Sequence, residues 1–218
     1  MNLKEISLLR MLYYLWQNLR NRYSYTHGKH NKVVNWGGQK VGSRIQISGN
    51  GNKVVMEKGS RLLNSLIRIQ GNNNEIRLKA NSYILEAVFV IQDNQCLLSV
   101  GERTFIGNHA HFACTENGSK LIVGNDCMVS SNVQVRTGDS HSILDNDGNR
   151  INKAQSVTIG DHVWLGEGAK VLKGVTLEGD DIISTGAIVT KSFGKNVLLG
   201  GIPAKVLKDN VTWDKERK

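Results

Sequence analysis

Residues 159–189 read IGDHVW-LGEGAK-VLKGVT-LEGDDI-ISTGAI-V when they are written in groups of six. Each group opens on an aliphatic residue, and these residues are Ile159, Leu165, Val171, Leu177, Ile183 and Val189. An α-helix buries one face about every 3.6 residues and a flat strand every 2, so neither explains a period of six. A chain that winds around a triangular prism does, because each turn then holds three short strands and three corners. The pattern predicts a parallel β-helix with an apolar column inside it.

The repeat continues toward the N-terminus with a longer unit of 22 residues. Three sets of aliphatic residues have this spacing: Ile47, Ile69 and Ile91; Val54, Ile76 and Leu98; and Leu62, Ile84 and Ile106. We therefore expect coils of about 18 residues that carry a small bulge at one corner, and about seven or eight of them between residues 45 and 200. An ordinary β-sandwich of alternating strands would not hold such a register over so many turns.

The composition fits one elongated domain with a short extension at each end. We expect a basic N-terminal cap at 1–44, a catalytic β-helix at 45–204 with a loop insertion at about 138–156, and a C-terminal tail at 205–218. No stretch is long and apolar enough to span a membrane, and no signal peptide is visible. Three cysteines without a CxxC pair fit small buried thiols in a reducing cytoplasm.

Positive charge is concentrated near the N-terminus. Residues 1–44 hold eight of the 28 lysines and arginines but only one acidic residue, Glu5, out of 19. The pattern favours an anionic polymer or membrane surface as neighbour, although a solvated end cap explains it equally well. No nucleic-acid-binding module appears, so we expect no nucleic acid partner.

Within this segment, Leu9, Leu12, Trp16 and Leu19 recur at helical spacing. They predict an amphipathic helix at about 3–22 that covers the open end of the solenoid or packs on a neighbouring subunit. The alternative is contact with the inner face of the membrane.

The six-residue register breaks after Val135 and returns near Val157. A polar loop leaves the prism here, and His141 lies near its base. Loops on a rigid scaffold are frequent places for function. A neutral imidazole accepts a proton from a hydroxyl at pH 7, and Asp139 or a backbone carbonyl could fix its tautomer. We therefore take His141 as the candidate general base.

At this point the sequence resembles the hexapeptide-repeat acyltransferases, and within them the bacterial O-acetyltransferases of capsular and other surface polysaccharides. The resemblance covers about Ile122 to Leu207. It rests on the motifs Thr137-Gly-Asp-Ser-His141, Ile159-Gly-Asp-His-Val-Trp164-Leu-Gly, Gly186-Ala-Ile-Val-Thr-Lys191 and Gly200-Gly-Ile-Pro-Ala-Lys205-Val. The Asp-Ser-His and Val-Trp pairs are similar to those of polysialic acid O-acetyltransferases.

The resemblance implies a homotrimer of left-handed β-helices with acetyl-CoA in the groove between neighbours and no metal. His141 would activate a sugar hydroxyl, and Trp164 would line the thioester end of the site. Gly166, Thr185 and Gly186 would accommodate the pantetheine arm, whereas Thr190, Lys191 and Lys205 would lie near the nucleotide. For Lys205 a basic tail is an equal explanation. The family often has a proline after Thr-Lys, but Ser192 follows here.

Acceptor contacts are assigned to five residues: His109, His111, Asp139, Ser140 and Arg150. For the two histidines a structural role is the alternative. The predicted function is acetyl transfer to a capsular polysaccharide, anionic and possibly containing sialic acid, with a small-sugar or antibiotic acetyltransferase as the alternative. More remote alternatives are a γ-type carbonic anhydrase with zinc on His109, His111 and His141, although the expected His-x4-His pair is absent, and a non-catalytic solenoid.

Overall fold

The computed structural model describes residues 23–218, and the helix predicted over 3–22 lies outside them. Within the described range the chain forms strands and turns and no helix. In chain order the strands are β1 (Tyr25–His27), β2 (Lys32–Asn35), β3 (Gln39–Val41), β4 (Arg44–Ser48), β5 (Lys53–Met56), β6 (Arg61–Leu63), β7 (Leu66–Gln70), β8 (Glu75–Leu78), β9 (Tyr83–Leu85), β10 (Val88–Gln92), β11 (Leu97–Val100), β12 (Phe105–Ile106), β13 (His111–Cys114), β14 (Lys120–Val123), β15 (Met128–Val129), β16 (Gln134–Arg136), β17 (Val157–Ile159), β18 (Trp164–Leu165), β19 (Lys170–Val171), β20 (Thr176–Leu177), β21 (Ile182–Ile183), β22 (Ile188–Val189), β23 (Val197–Gly201) and β24 (Ala204–Asp209).

The strands form three sheets that run the length of a prism. Sheet 1 has eight strands in the order β1-β4-β7-β10-β13-β16-β19-β22, and sheet 2 has seven in the order β2-β5-β8-β11-β14-β17-β20. Sheet 3 has nine strands in the order β24-β23-β21-β18-β15-β12-β9-β6-β3. From β1 to β21 the chain visits the three sheets in turn, and strands one coil apart pair in parallel. The predicted all-β, left-handed parallel solenoid is confirmed.

The register along the prism follows the aliphatic spacing of the sequence. Ile47, Ile69 and Ile91 are successive Cα partners in sheet 1, and the other two predicted sets align in the same way in sheets 2 and 3. All nine side chains are fully buried. In the six-residue region Leu165 pairs with Ile183, 18 residues further along the chain. Each coil therefore places its aliphatic residues on those of the coil before it, and the core is one continuous apolar column.

Each six-residue group has a corner residue in the left-handed backbone conformation. The φ angles of His162, Gly168, Gly174, Asp180 and Gly186 lie between 55° and 76°. Glycine enters this region without steric cost, and Asp enters it more readily than branched residues. The even spacing of these corners sets the direction of each following strand, and with it the position of the side chains discussed below.

The solenoid begins one coil earlier than the predicted boundary at residue 45. Strands β1, β2 and β3 form the first coil and pair with β4, β5 and β6. Their residues are mostly exposed, and Lys40 occupies the position that Leu62 takes in the next coil. This end coil lacks the buried aliphatic repeat, so its sequence does not show the period.

The C-terminal boundary also differs from the prediction. The expected tail at 205–218 begins inside β24, which folds back antiparallel on β23 and extends sheet 3. The loop insertion occupies residues 137–156, between β16 and β17. No helix among residues 23–218 has the length and hydropathy needed to cross a membrane.

Candidate functional site

A groove of about 440 Å³ lies on the outer side of sheet 3, near its corner with sheet 1. Its lining residues are Trp164, Gly166, Ile182, Ile183, Ser184, Thr185 and Leu198. The indole Nε1 of Trp164 donates a hydrogen bond to the Ser130 hydroxyl at 3.3 Å, which fixes one edge of the ring. The structure therefore brings together three of the residues predicted for the acyl-donor site: Trp164, Gly166 and Thr185.

The two predicted glycines of this region differ in their surroundings. A Cβ on Gly166 would lie 2.7 Å from the carbonyl oxygen of Ile183. The next coil therefore leaves no room for a side chain at position 166. A Cβ on Gly186 would meet nothing within 4 Å, and its φ of 71° favours glycine for the corner itself. Gly186 therefore leaves open space beside the groove, whereas Gly166 serves the close approach of two coils.

Behind Trp164 lies a residue that the sequence analysis missed. Trp213, from the segment after β24, is only 7% exposed and lies 6.0 Å from the Trp164 ring centroid at an interplanar angle of 48°. It stacks on His162 at 4.4 Å and donates a hydrogen bond from Nε1 to the His162 carbonyl oxygen at 2.8 Å. The His162 Nδ1 lies 2.8 Å from the Asp180 carboxylate. A lone tryptophan in a charged tail was the signal that could have drawn attention to it.

The loop with His141 is a hairpin closed by a bridge between Leu144 and Arg150. At its tip the Asp145 carboxylate accepts backbone hydrogen bonds from Asp147 and Asn149, and these bonds lower the pKa of Asp145. The side chain of His141 is exposed, and its ring makes no hydrogen bond to any residue in the range 23–218. The base candidate is thus presented to solvent on a structured loop.

Asp139 does not hold the His141 ring, contrary to one of the two options in the sequence analysis. Its carboxylate forms an ion pair with Lys173 and accepts a hydrogen bond from the Asn152 amide at 3.0 Å. The bond to Lys173 is the main cause that lowers the pKa of Asp139, so the group is ionised at neutral pH. Both contacts of the Asp139 carboxylate therefore stabilise the loop itself.

Arg150 also makes contacts that stabilise the loop. Its guanidinium pairs with Glu116 from the preceding coil, and this contact is the main cause that lowers the pKa of Glu116. The predicted acceptor role of Arg150 therefore competes with a structural one. Ser140, the remaining candidate on the loop, is exposed and has a φ of 69°.

The two earlier histidines lie outside the loop. His109 is at the corner before β13, with an exposed side chain whose Nε2 is 4.0 Å from Glu86. His111 faces outward from sheet 1 and is partly buried, and burial followed by the charge of Arg136 lowers its pKa. His111 is therefore neutral at pH 7.

The residues predicted for the nucleotide end are all exposed. Thr190 and Lys191 follow β22, and the Lys191 ammonium lies 5.6 Å from the centroid of the Phe193 ring. Lys205 is on β24 opposite Gly200. Among residues 23–218, no three His, Cys, Asp or Glu side chains come together in a way that could hold a metal ion.

The predicted site residues fall at different corners of the prism. The Trp164 groove lies on sheet 3 and its corner with sheet 1, whereas the His141 loop leaves from the corner between sheets 1 and 2. Thr190 and Lys191 follow the same corner as the loop, two coils further on. Sheet 1 separates the two groups, so one chain does not bring the candidate base to the candidate acyl-donor groove.

Comparisons with known proteins agree with this architecture. The crystal structure of the polysialic-acid-specific acetyltransferase NeuO matches with a TM-score of 0.81 and 30% identity, over 91% of each chain. The polysialic acid O-acetyltransferase OatWY matches with a TM-score of 0.82 and 27% identity, over 89% of this chain and 93% of that one.

At the level of sequence, the polysialic acid O-acetyltransferase of Escherichia coli O1:K1 is 32% identical over 120 residues, which is 55% of this chain. The match spans only 38% of the length of that curated relative. No protein-family model matches the chain.

Proposed function

We propose that this chain, which belongs to the hexapeptide-repeat acetyltransferases in the family of the polysialic acid O-acetyltransferases, transfers an acetyl group from acetyl-CoA to a sugar hydroxyl of a bacterial surface polysaccharide. The observation that carries the proposal is the combination of two features on a family scaffold. One is an exposed histidine on an anchored loop, and the other is a groove walled by Trp164. A general base and a place for the acyl donor are what direct acetyl transfer requires.

In the proposed reaction His141 takes the proton from the acceptor hydroxyl. The freed oxygen attacks the thioester carbonyl, and a backbone N–H stabilises the resulting oxyanion. When the tetrahedral intermediate collapses, the carbon–sulfur bond breaks and the proton passes from His141 to the leaving sulfur. No acyl-enzyme is formed, because the hydroxyl attacks the donor directly.

The chemistry of the lining residues supports the groove as the place for the acyl donor. Trp164 and Leu198 offer an apolar wall for the pantetheine arm, and the exposed corner at Thr185 and Gly186 offers backbone groups to its amides. Lys205, on the edge strand β24, offers an exposed ammonium group to the phosphates, and the exposed ammonium group of Lys191, which sheet 1 separates from the groove, would do so from a second copy of the chain.

We further propose that the active unit is a homotrimer with its sites between subunits. The support is the distribution of residues within one chain, where sheet 1 separates the His141 loop from the Trp164 groove. A second copy that places its groove against the loop would complete the site. Oligomers with closed rotational symmetry repeat such a contact at every interface.

The acceptor we propose is an anionic polysaccharide, with a polymer of sialic acid as the first candidate. Two relatives that match over about nine tenths of this chain carry polysialic acid in their names. The excess of lysine and arginine in residues 1–44 would attract such a polymer.

The test is release of free thiol from acetyl-CoA in the presence of acidic and neutral capsular polysaccharides and simple sugars. Selective turnover with a sialic acid polymer would support the full proposal. Turnover with small sugars alone would keep the chemistry and replace the acceptor. If no acceptor in the panel gives thiol release and CoA gives no thermal stabilisation, the proposed activity is contradicted.

A further inference from the structure

A general base must be held accurately to be useful, so the loop that carries His141 has to be fixed in position. Residues 140–149 are exposed throughout, and the loop has no apolar core of its own. Asn152, near the second end of the loop, is by contrast only 6% exposed. A buried amide in an exposed loop must find partners for all of its polar atoms, so its contacts indicate what it holds in place.

The side chain of Asn152 is fully hydrogen-bonded. Its Nδ2 donates to the His141 carbonyl oxygen at 2.8 Å and to the Asp139 carboxylate at 3.0 Å. Its Oδ1 accepts from the backbone N–H of Ile143 at 2.8 Å and from the Arg150 Nε at 3.1 Å. An amide offers two donors and two acceptor sites, and all four are used. The opposite orientation of the amide would face donors with donors and acceptors with acceptors, so only this one is consistent.

These contacts surround the candidate base on both sides in the sequence. Asn152 binds Asp139 two residues before His141, His141 itself, and Ile143 two residues after it. A single side chain therefore bonds directly to the backbone of His141 and Ile143, and on the other side of the imidazole to the side-chain carboxylate of Asp139. The direction in which the His141 ring leaves the backbone depends on these three bonds.

The clamp around His141 is itself tied to the rigid coils. Lys173, from the corner that follows β19, pairs with Asp139 and donates a hydrogen bond to the Asn152 carbonyl oxygen at 3.0 Å. On the other side of the loop, Glu116 pairs with Arg150 and accepts the backbone N–H of Ala154 at 3.2 Å. The loop is thus held from the coil above and from the coil below.

We propose that Asn152 is a positioning residue for acetyl transfer, and that it acts through the backbone of His141 with Lys173 as its anchor on the solenoid. The inference rests on the proposed role of His141 as the base. Asn152 is not assigned any contact with the acceptor or the acyl donor. Its effect is therefore expected on the rate of the chemical step and not on donor binding.

The experiment compares Asn152→Ala with Asn149→Ala in the complete protein. Asn149 lies on the same loop and its side chain bonds only to the Asp145 carboxylate at the exposed tip, so it serves as the matched control. We expect Asn152→Ala to lower kcat by about 10- to 100-fold, the range for a misplaced catalytic group, with the KM for acetyl-CoA unchanged. Asn149→Ala should keep the kcat of the parent protein.

The decisive comparison repeats Asn152→Ala in a His141→Ala background. If Asn152 acts only through His141, the double variant has the same residual kcat as His141→Ala alone. A further fall in the double variant, or an unchanged kcat in the single variant, would overturn the inference. A His141→Ala protein with full activity would instead remove the proposed base, so the two failures are distinguishable.

A second variant keeps the test informative if Asn152→Ala does not fold. Lys173→Met retains the aliphatic part of the side chain and removes the ion pair with Asp139. It should lower kcat by a smaller factor, again without a change in the KM for acetyl-CoA and without further loss in the His141→Ala background. Normal kcat in a folded Lys173→Met protein would remove the anchor from the proposal.

Discussion

The corner between sheets 1 and 2 is built in two ways along the prism. In the N-terminal coils, which we define as residues 25–118, asparagines stack at this corner. The backbone N–H groups of Asn50, Asn72 and Asn94 each donate to the side-chain oxygen of the asparagine one coil further on, and the last acceptor is Asn117. In the C-terminal coils, from residue 119 onward, the same corner releases the loop that carries His141.

A second asparagine stack in the N-terminal coils runs in the opposite direction. The side-chain oxygens of Asn31, Asn52 and Asn74 accept the backbone N–H groups of Asn52, Asn74 and Cys96. With both stacks present, the polar groups of this corner are bonded to their neighbours. At this corner the N-terminal coils are therefore stabilised by asparagine side chains that bond to the neighbouring coils.

Among residues 23–218, the only buried acidic or basic side chain lies in the C-terminal coils. Asp181 is a buried carboxyl group, and burial raises its pKa to about 6. The regular coils are thus stabilised by stacked asparagines, whereas the interrupted coils carry the residues proposed for acetyl transfer.

The largest effect that follows from this division concerns His141. We expect His141→Ala to lower kcat by about 10²–10⁴, the usual range for loss of a general base. The thermal stability and the affinity for CoA should stay unchanged, because the imidazole makes no hydrogen bond within residues 23–218. Steady-state kinetics measure kcat, and calorimetric titration measures the affinity for CoA. An unchanged kcat would show that His141 is not the general base.

Asn74→Ala, in the N-terminal coils, should lower stability and leave activity unchanged. The side chain of Asn74 is buried and bonds to Asn52, to the Asp93 carbonyl oxygen and to the Cys96 N–H. Its removal leaves these partners unsatisfied, and we expect a loss of about 2–4 kcal/mol in the free energy of unfolding. Thermal unfolding should show Tm lower by about 5–10 °C, with kcat unchanged at temperatures where the protein is folded.

Asn50→Ala is the matched control, because Asn50 belongs to the other stack and is exposed. It should lower Tm by clearly less than Asn74→Ala. A fall in kcat without a fall in Tm, in either variant, would contradict the separation of scaffold and chemistry.

A pH-dependent stability is expected from Asp181 in the C-terminal coils. The folded pKa of about 6 lies above the ordinary value of 3.8, so the folded state holds the proton more tightly than the unfolded chain. The contribution of this group to stability is therefore complete below about pH 4 and is lost as the pH rises through about 6.

Asp181→Asn removes this dependence, so the free energy of unfolding of the variant relative to the parent protein should be about 1–2 kcal/mol more favourable at pH 8 than at pH 4. The amide keeps only one of the two backbone N–H bonds that the Asp181 carboxyl accepts from Gly179 and Val197, and this loss lowers the stability at both pH values alike. Denaturant unfolding at the two pH values measures the difference. Asp209→Asn, at an exposed position on β24, should leave the pH profile as it is. An equal effect of Asp181→Asn at both pH values would show that the carboxyl is not protonated on burial.

The smallest expected effect concerns the back of the groove. Trp213 contacts Trp164, so we expect Trp213→Ala to raise the KM for acetyl-CoA by about 3- to 10-fold while kcat changes little. Trp213→Phe keeps a ring against His162 and should stay closer to the parent value. Equal KM values for all three proteins would show that the groove does not depend on its second tryptophan.

The repeat could be predicted from the sequence because each coil buries the same kind of residue at the same spacing. Ile47, Ile69 and Ile91 show this directly. The first coil could not be found in this way, since at the open end the exposed Lys40 takes the register position of the buried Leu62 and the aliphatic pattern disappears.

The contacts that hold the site residues could not be predicted from the sequence, for a different reason. Lys173 and Asp139 are 34 residues apart, and Trp213 and His162 are 51 residues apart. Such contacts depend on the path of a loop and on how the tail folds over the last coils, and no local pattern encodes either one. Motif resemblance identified His141 and Trp164, but not the residues that hold them.

The central claim is that acetyl transfer takes place where the His141 loop of one chain meets the Trp164 groove of another. The most direct test mixes His141→Ala and Trp164→Ala, each of which should have little activity by itself, and measures thiol release from acetyl-CoA after the subunits have exchanged. Sites that combine an intact loop and an intact groove from different chains should restore about a quarter of the parent activity in a random equal mixture. If the mixture remains as inactive as its components although mixed oligomers form, the site does not lie between subunits and the account is contradicted.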